Sequence, residues 1–357
     1  MKILVKREKC LTFHLMEGLQ FPCIQENCKG KIPLNTGRQA SLKKEERRMV
    51  MESENKKLET KRIAIFLGIT FVMTYAYCFG VIYPVVYAEN LNPYMNSILS
   101  LLISVVMFFP AIGVLLTRLI TKEGFKNSWL CPNFKGNIRT YLLAYFGPGI
   151  LTVLGMVVYF LIFPDKFDPQ LGYLQANLEA SGVDVAAYPM PLATQMIVQA
   201  MTGIFLGGIV NFIPCFGEEW GWRGYLLPKM AKKLPAIPML LINGVIWGLW
   251  HAPLTAIGHN YGVGYPGFPF TGIAAMCGFC IVMGIFLSYV SMKTKSCIPA
   301  ILAHGAINSI AGLGMYFTTD GGNPFIGPAP TGIVGAIPFI VAAILMLVFY
   351  FRKSEKL

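Results

Sequence analysis

The chain has 357 residues, 55% hydrophobic and 13% charged, with mean hydropathy +0.55. Soluble domains run at about 25% charged, so composition excludes a water-soluble globular fold and predicts an all-α, polytopic integral membrane protein. The formal net charge of +12 does not point to nucleic acid, because 15 of the 30 Lys and Arg residues precede the first apolar run, where they act as an orientation signal and contact anionic membrane lipids.

Residues 1–62 have no sustained apolar period and end in the charge run SLKKEERRMVMESENKKLETKR, which reads as a basic, cytoplasmic, partly helical or disordered tail. No apolar segment with a small-residue cleavage site follows the first charges, so no signal peptide is expected; Met49 and Met51 are alternative starts. A membrane domain follows over 63–351, with a short tail at 352–357. Spans of the required ~20 apolar residues are expected at about 63–87, 97–120, 139–163, 194–230, 236–257, 271–292, 297–316 and 331–351. Eight spans put both termini on one side. Basic residues such as Lys122, Lys126, Lys229, Lys232, Lys293 and Lys295 follow the even spans, whereas the alternate loops hold only Lys166, so both termini are expected in the cytoplasm. The longest external loop is 164–193. The fourth region is too long for one perpendicular helix, and Pro214 marks an expected kink.

That fourth region carries the stretch Phe216–Pro228, FGEEWGWRGYLLP, with Glu218, Glu219 and Arg223 inside an apolar run. Between Ile63 and Phe351 the other acids (Glu89, Glu123, Asp165, Asp168, Glu179, Asp184 and Asp320) fall in expected loops. Ionisable groups within a span cost about 2.5–3.5 kcal/mol each on insertion scales. On a helix, Glu219 and Arg223 are i,i+4 neighbours in the favourable acid-first order and form a neutralising pair. Glu218 lies about 100° away and is the carboxylate left to face a cavity. Counting from Lys229 puts it about 16 Å inside the membrane. The plain alternative, three charges lining a helix end, is weakened by that depth.

Of the four histidines (His14, His251, His259 and His304), two lie in expected spans. His251 closes IWGLWHAP; His304 sits in LAHGAINS with Asn308 four residues on, on the same helix face. A Glu, two His and an Asn from three helices suit water activation and oxyanion stabilisation. His259, in the Gly- and aromatic-rich loop GHNYGVGYPGFPF, reads as structural, and Cys277-x-x-Cys280 as packing. The nine cysteines, which include Cys10, Cys23 and Cys28, are odd in number and scattered, and so imply no disulfide framework. An H-E-x-x-H zinc helix is missing, as are an intramembrane Asp dyad and a G-x-S-G motif on a span.

Glu218–Glu219–Arg223, Trp247-x-x-x-His251 and His304-x-x-x-Asn308, in that order over roughly 195–315, resemble the CPBP family, the CAAX-protease and bacteriocin-processing group of intramembrane proteases. Trp247 stands where Phe is common in that pattern. The resemblance implies an eight-helix fold in which Glu218 and His251 activate a water, His304 and Asn308 hold the oxyanion, and Glu219 with Arg223 shapes the site. It leaves open a glutamate-activated water without metal or one divalent ion such as zinc held by Glu218, His251 and His304. The form of the motif resembles the bacterial branch, implying a plasma-membrane location and a membrane-associated protein or peptide substrate. Two competing readings are a proton- or ion-coupled transporter, although no internal repeat supports it, and an idle scaffold or bacteriocin-immunity protein of the same fold.

Overall fold

The computed structural model describes residues 36–87 and 93–352. His14, Cys10, Cys23, Cys28 and Glu89 lie outside these residues, as do most of the tail at 1–35 and residues 353–357. Among the described residues the named elements are all helical, with two isolated backbone bridges, Phe167–Thr318 and Asn323–Gly327, as the extended pairing. The chain divides into a unit at Met1–Glu54 and a larger unit at Asn55–Leu357.

Helix α1 runs over Thr36–Tyr77, taking in the charge run and the first part of the expected first span, which continues through a π-helical turn at Cys78–Ile82 and a short helical turn at Tyr83–Val86. Helix formers such as Lys, Glu, Arg and Met dominate that run, so high propensity continues the helix without an apolar face. The second expected span is two helices, α2 (Pro93–Val106) and α3 (Phe109–Ile120), separated at Met107–Phe108. Then come α4 (Ile138–Ile162), a short α5 (Gly172–Ala180) and α6 (Leu192–Val210). The break in the fourth region falls at Asn211, three residues before the expected kink at Pro214. Pro214 instead sits in the first turn of α7 (Phe212–Glu219), where a missing N–H costs no helical hydrogen bond. A π-helical segment, Trp220–Leu226, joins α7 to α8 (Leu227–Ala231). Helices α9 (Ala236–Trp250), α10 (Phe270–Thr294), α11 (Ile298–Ile310) and α12 (Ile337–Met346) complete the order.

Among the described residues six helical stretches are long and apolar enough to cross a membrane, and Ala236–Trp250 and Ile337–Phe351 are shorter apolar helices. The chain is therefore an all-helical, polytopic membrane protein, as composition required. Small residues set its closest helix contacts, as expected where lipid competes for apolar surface. A Cβ at Gly244 or Gly248 of α9 would meet the α10 backbone at Ile281 or Cys277 at 2.5 Å. Cys277 and Cys280 are free thiols there, consistent with packing. On α7 and its π extension, Gly217 and Gly221 press on the Met107–Pro110 break, where a Cβ would approach to 2.4–2.5 Å. Aromatic edges lock α1 to this element: Phe66 lies 5.7 Å from Trp222 and 5.3 Å from Tyr225, and Trp222 lies 5.7 Å from Trp250.

Candidate active site

The sequence FGEEWGWRG places two carboxylates on consecutive positions of one helix, and packing gives them different surroundings. Glu219 and Arg223 are both fully buried, and Arg223 Nη1 donates to Glu219 Oε1 at 2.9 Å. The neutralising i,i+4 pair read from spacing is therefore present. The same Oε1 also accepts from His304 Nδ1 of α11, again at 2.9 Å. Glu218, 2% exposed, instead accepts from the Trp247 indole, Nε1 to Oε2, at 2.9 Å.

Trp247 lies at the centre of these contacts. Its ring carries the Arg223 guanidinium at 4.1 Å from the centroid, a cation–π contact that is strong when desolvated. It also meets the His304 ring edge-on at 5.4 Å and lies 5.7 Å from the His251 ring. Phe at this position would keep an aromatic face but lose the N–H that Glu218 uses.

His251 follows the last residue of α9, and its Nδ1 lies 2.9 Å from the Trp247 carbonyl. A carbonyl can only accept, so Nδ1 carries the proton and Nε2 keeps its lone pair. Asn308 is exposed, and its Nδ2 lies 3.7 Å from Cys215 Sγ. Asn308 is not the partner of the His304 Nδ1, which Glu219 holds.

Glu218, His251, His304 and Asn308 line one cavity of about 370 Å³, within the range of small-molecule sites. Counting residues along straight helices separates the two histidines by roughly 10 Å in depth. The early end of α9 at Trp250 and the packing of α11 against α7 bring both to this cavity. Glu219 and Arg223 stand behind the lining, together with orphan atoms: Glu219 Oε2 and Arg223 Nε and Nη2 have no protein partner.

Further polar and apolar residues that the sequence did not mark as functional also line this cavity. His259, taken as structural, lines the cavity with Asn260. Asn211, at the α6–α7 break, also lines it and donates to Ser309 Oγ at 2.7 Å; a polar residue at a helix break in an apolar run was the available signal. Met107, at the α2–α3 break, lines it too, and nothing local to its sequence marks it.

Among the described residues no three His, Cys, Asp or Glu side chains are grouped so as to hold a metal ion. Glu218, His251 and His304 therefore do not form a ligand shell as placed. Each already spends one donor or acceptor atom on another group: Trp247 Nε1, the Trp247 carbonyl and Glu219 respectively.

Residues 199–310 match the family model for type II CAAX prenyl endopeptidase Rce1-like proteins. No curated protein matches the chain. The matched segment begins in α6 and ends with α11, and so contains all three motifs and every contact between Glu218, Glu219, Arg223, Trp247, His251 and His304. Over residues 199–310 the chain is therefore similar to the Rce1-like, CAAX-protease family, and the match supports an intramembrane endopeptidase activity in general terms.

Proposed function

We propose that the protein hydrolyses a peptide bond of a membrane-associated protein or peptide at the cavity between α7, α9 and α11. The carrying observation is the division of labour between adjacent carboxylates. Glu219 accepts from both Arg223 and His304 through Oε1 and is buried behind the lining, whereas Glu218 lines the cavity with one oxygen on Trp247 and Oε1 without a protein partner. In this reading Glu218 accepts a proton from a water held also by His251 Nε2, and the water attacks the peptide carbonyl. His304, its ring fixed by Nδ1, and the Asn308 amide donate to the oxyanion. As an imidazolium His304 has an N–H at both nitrogens, one for Glu219 and one for the oxyanion, and it balances the second carboxylate. Glu219 and Arg223 are positioning residues that hold His304 in place.

The charge bias of the loops supports a site opening near the cytoplasmic leaflet with both termini cytoplasmic. The family description supports a substrate ending in a prenylated CAAX-type sequence, and the motif's likeness to the bacterial branch supports an unprenylated membrane peptide. Purified protein offered both kinds of peptide, with cleavage read by mass spectrometry, separates them. Cleavage of neither would sink the proposal. Because the three candidate ligands do not group around a common point, activity should survive strong chelation; loss on chelation with recovery on added zinc would move His304 into a metal shell.

A further inference from the structure

A second polar cavity, of about 530 Å³, lies away from the catalytic residues and shares none of the residues that line their cavity. It forms where the apolar run of α1 begins and where α3, α8 and α10 end, so it sits at one boundary of the membrane domain, the level at which lipid headgroups lie. Six cations and two carboxylates line it.

Both carboxylates are already engaged. Glu59 accepts from Lys229 at 2.7 Å and from Arg62 and Lys232 at longer range, and Glu123 accepts from Lys229 at 2.5 Å and Tyr225 at 2.8 Å. The other three cations, Arg118, Lys126 and Lys295, have no carboxylate within ion-pair distance among the described residues. Arg118 is 3% exposed. One of its terminal nitrogens donates to the Gly124 carbonyl at 2.5 Å, and its plane lies over the rings of Tyr225 and Phe125 at 5.2 and 5.8 Å. Its Nε is buried without a partner. A buried guanidinium with a free donor and no counter-charge is costly unless an anion answers it.

The wall that carries Lys126 is tied down. Asn133 Nδ2 donates to the Thr294 carbonyl at 3.0 Å, and Cys297 N–H donates to the Trp129 carbonyl at 2.8 Å, fastening the loop after α3 to the turn that bears Lys295. The cavity is thus preformed, partly apolar and electropositive, with a guanidinium suited to phosphate oxygens. We propose that it binds a phosphate-bearing anion, supplied by the headgroup of an anionic phospholipid at the membrane boundary. Its floor, Tyr225 and Lys229, belongs to the helical element that carries Glu218, so the bound headgroup braces that element from the membrane boundary. The inference does not depend on the proposed protease mechanism.

The test uses full-length protein in neutral detergent. Phosphatidylglycerol, phosphatidylcholine with the same tails and inorganic phosphate are added separately, and the unfolding midpoint and lipid adducts in native mass spectra are read. Because loss of the buried Arg118 can unfold the chain, the altered protein is Lys126→Gln with Lys295→Gln, both exposed. Lys166→Gln, whose side chain pairs with Asp320 elsewhere, is the control. Phosphatidylglycerol should raise the midpoint and phosphatidylcholine should not. The double variant should bind about tenfold to thirtyfold more weakly, as expected for two juxtamembrane lysines, with the control unchanged. A response to inorganic phosphate that is lost in the double variant upholds the site but assigns it to a soluble phosphate. No response to either anion, or one of equal size in the double variant, overturns the proposal.

Discussion

One helical element, Phe212–Ala231, passes through two ionic centres that differ in how their charges are satisfied. In the deeper one, Glu219 Oε1 takes both Arg223 and His304, every partner is buried, and three polar atoms of the pair are left without protein partners. In the shallower one, Lys229 bridges Glu59 and Glu123, the carboxylates are 13–15% exposed, and Arg62, Lys232 and Tyr225 take the other oxygens of the same two carboxylates. The π-helical turn between them shifts later residues by one position, about 100° around the axis, and carries Tyr225 and Lys229 to Glu123 and Glu59. The contrast shows that the deep centre depends on a few fully buried partners gathered on one carboxylate, whereas at the boundary several donors spread over two part-exposed carboxylates make the centre redundant.

The largest expected effect separates the two glutamates of the deep centre. Glu218→Gln should lower cleavage by about a thousandfold, within the range for losing a general base, with folded yield unchanged because the amide still accepts from Trp247. Arg223→Ala should act on folding instead. It leaves Glu219 buried with His304 alone, at a cost near the lower end of the ~3–5 kcal/mol for a broken buried pair, read as detergent-extractable folded protein. If both changes abolish folding alike, the division between the carboxylates is wrong. Trp247→Phe removes one hydrogen bond to a charged acceptor, worth about 1.5–3 kcal/mol, and should reduce turnover roughly tenfold or more while leaving the ring contacts with Arg223. An unchanged rate would mean that the indole N–H does not orient Glu218. The smallest effect belongs to the shallow centre. Lys229→Met should cost only about 1–2 kcal/mol because Arg62 and Lys232 remain, and its thermal shift should shrink in high salt. A loss as large as that of Arg223→Ala would erase the difference between the two centres.

What could be read locally was read correctly: the apolar runs, the acid-first pair Glu219–Arg223 and the order of the three motifs. Each rests on residues within one helix or on composition, and helical periodicity carries that information without knowledge of neighbours. The kink was placed at Pro214 because proline is the strongest local breaker, but a proline in the first turn disrupts nothing, and the turn was made at Asn211. Spacing put His304 and Asn308 on one helix face, but it held no sign that His304 Nδ1 meets Glu219, 85 residues away.

Sequence by itself determined that the chain is helical, membrane-embedded and charged at one internal place, since lipid forces every backbone group into helix and makes each buried charge conspicuous. Only the tertiary structure decided which groups meet. Trp247 reaches Glu218 across 29 residues and Lys229 reaches Glu59 across 170, because glycine-lined contacts such as Gly244–Ile281 and Gly217–Met107 choose the neighbouring helices. Close packing selects those neighbours through shape, and the pattern along a single helix holds no record of the surface it will meet.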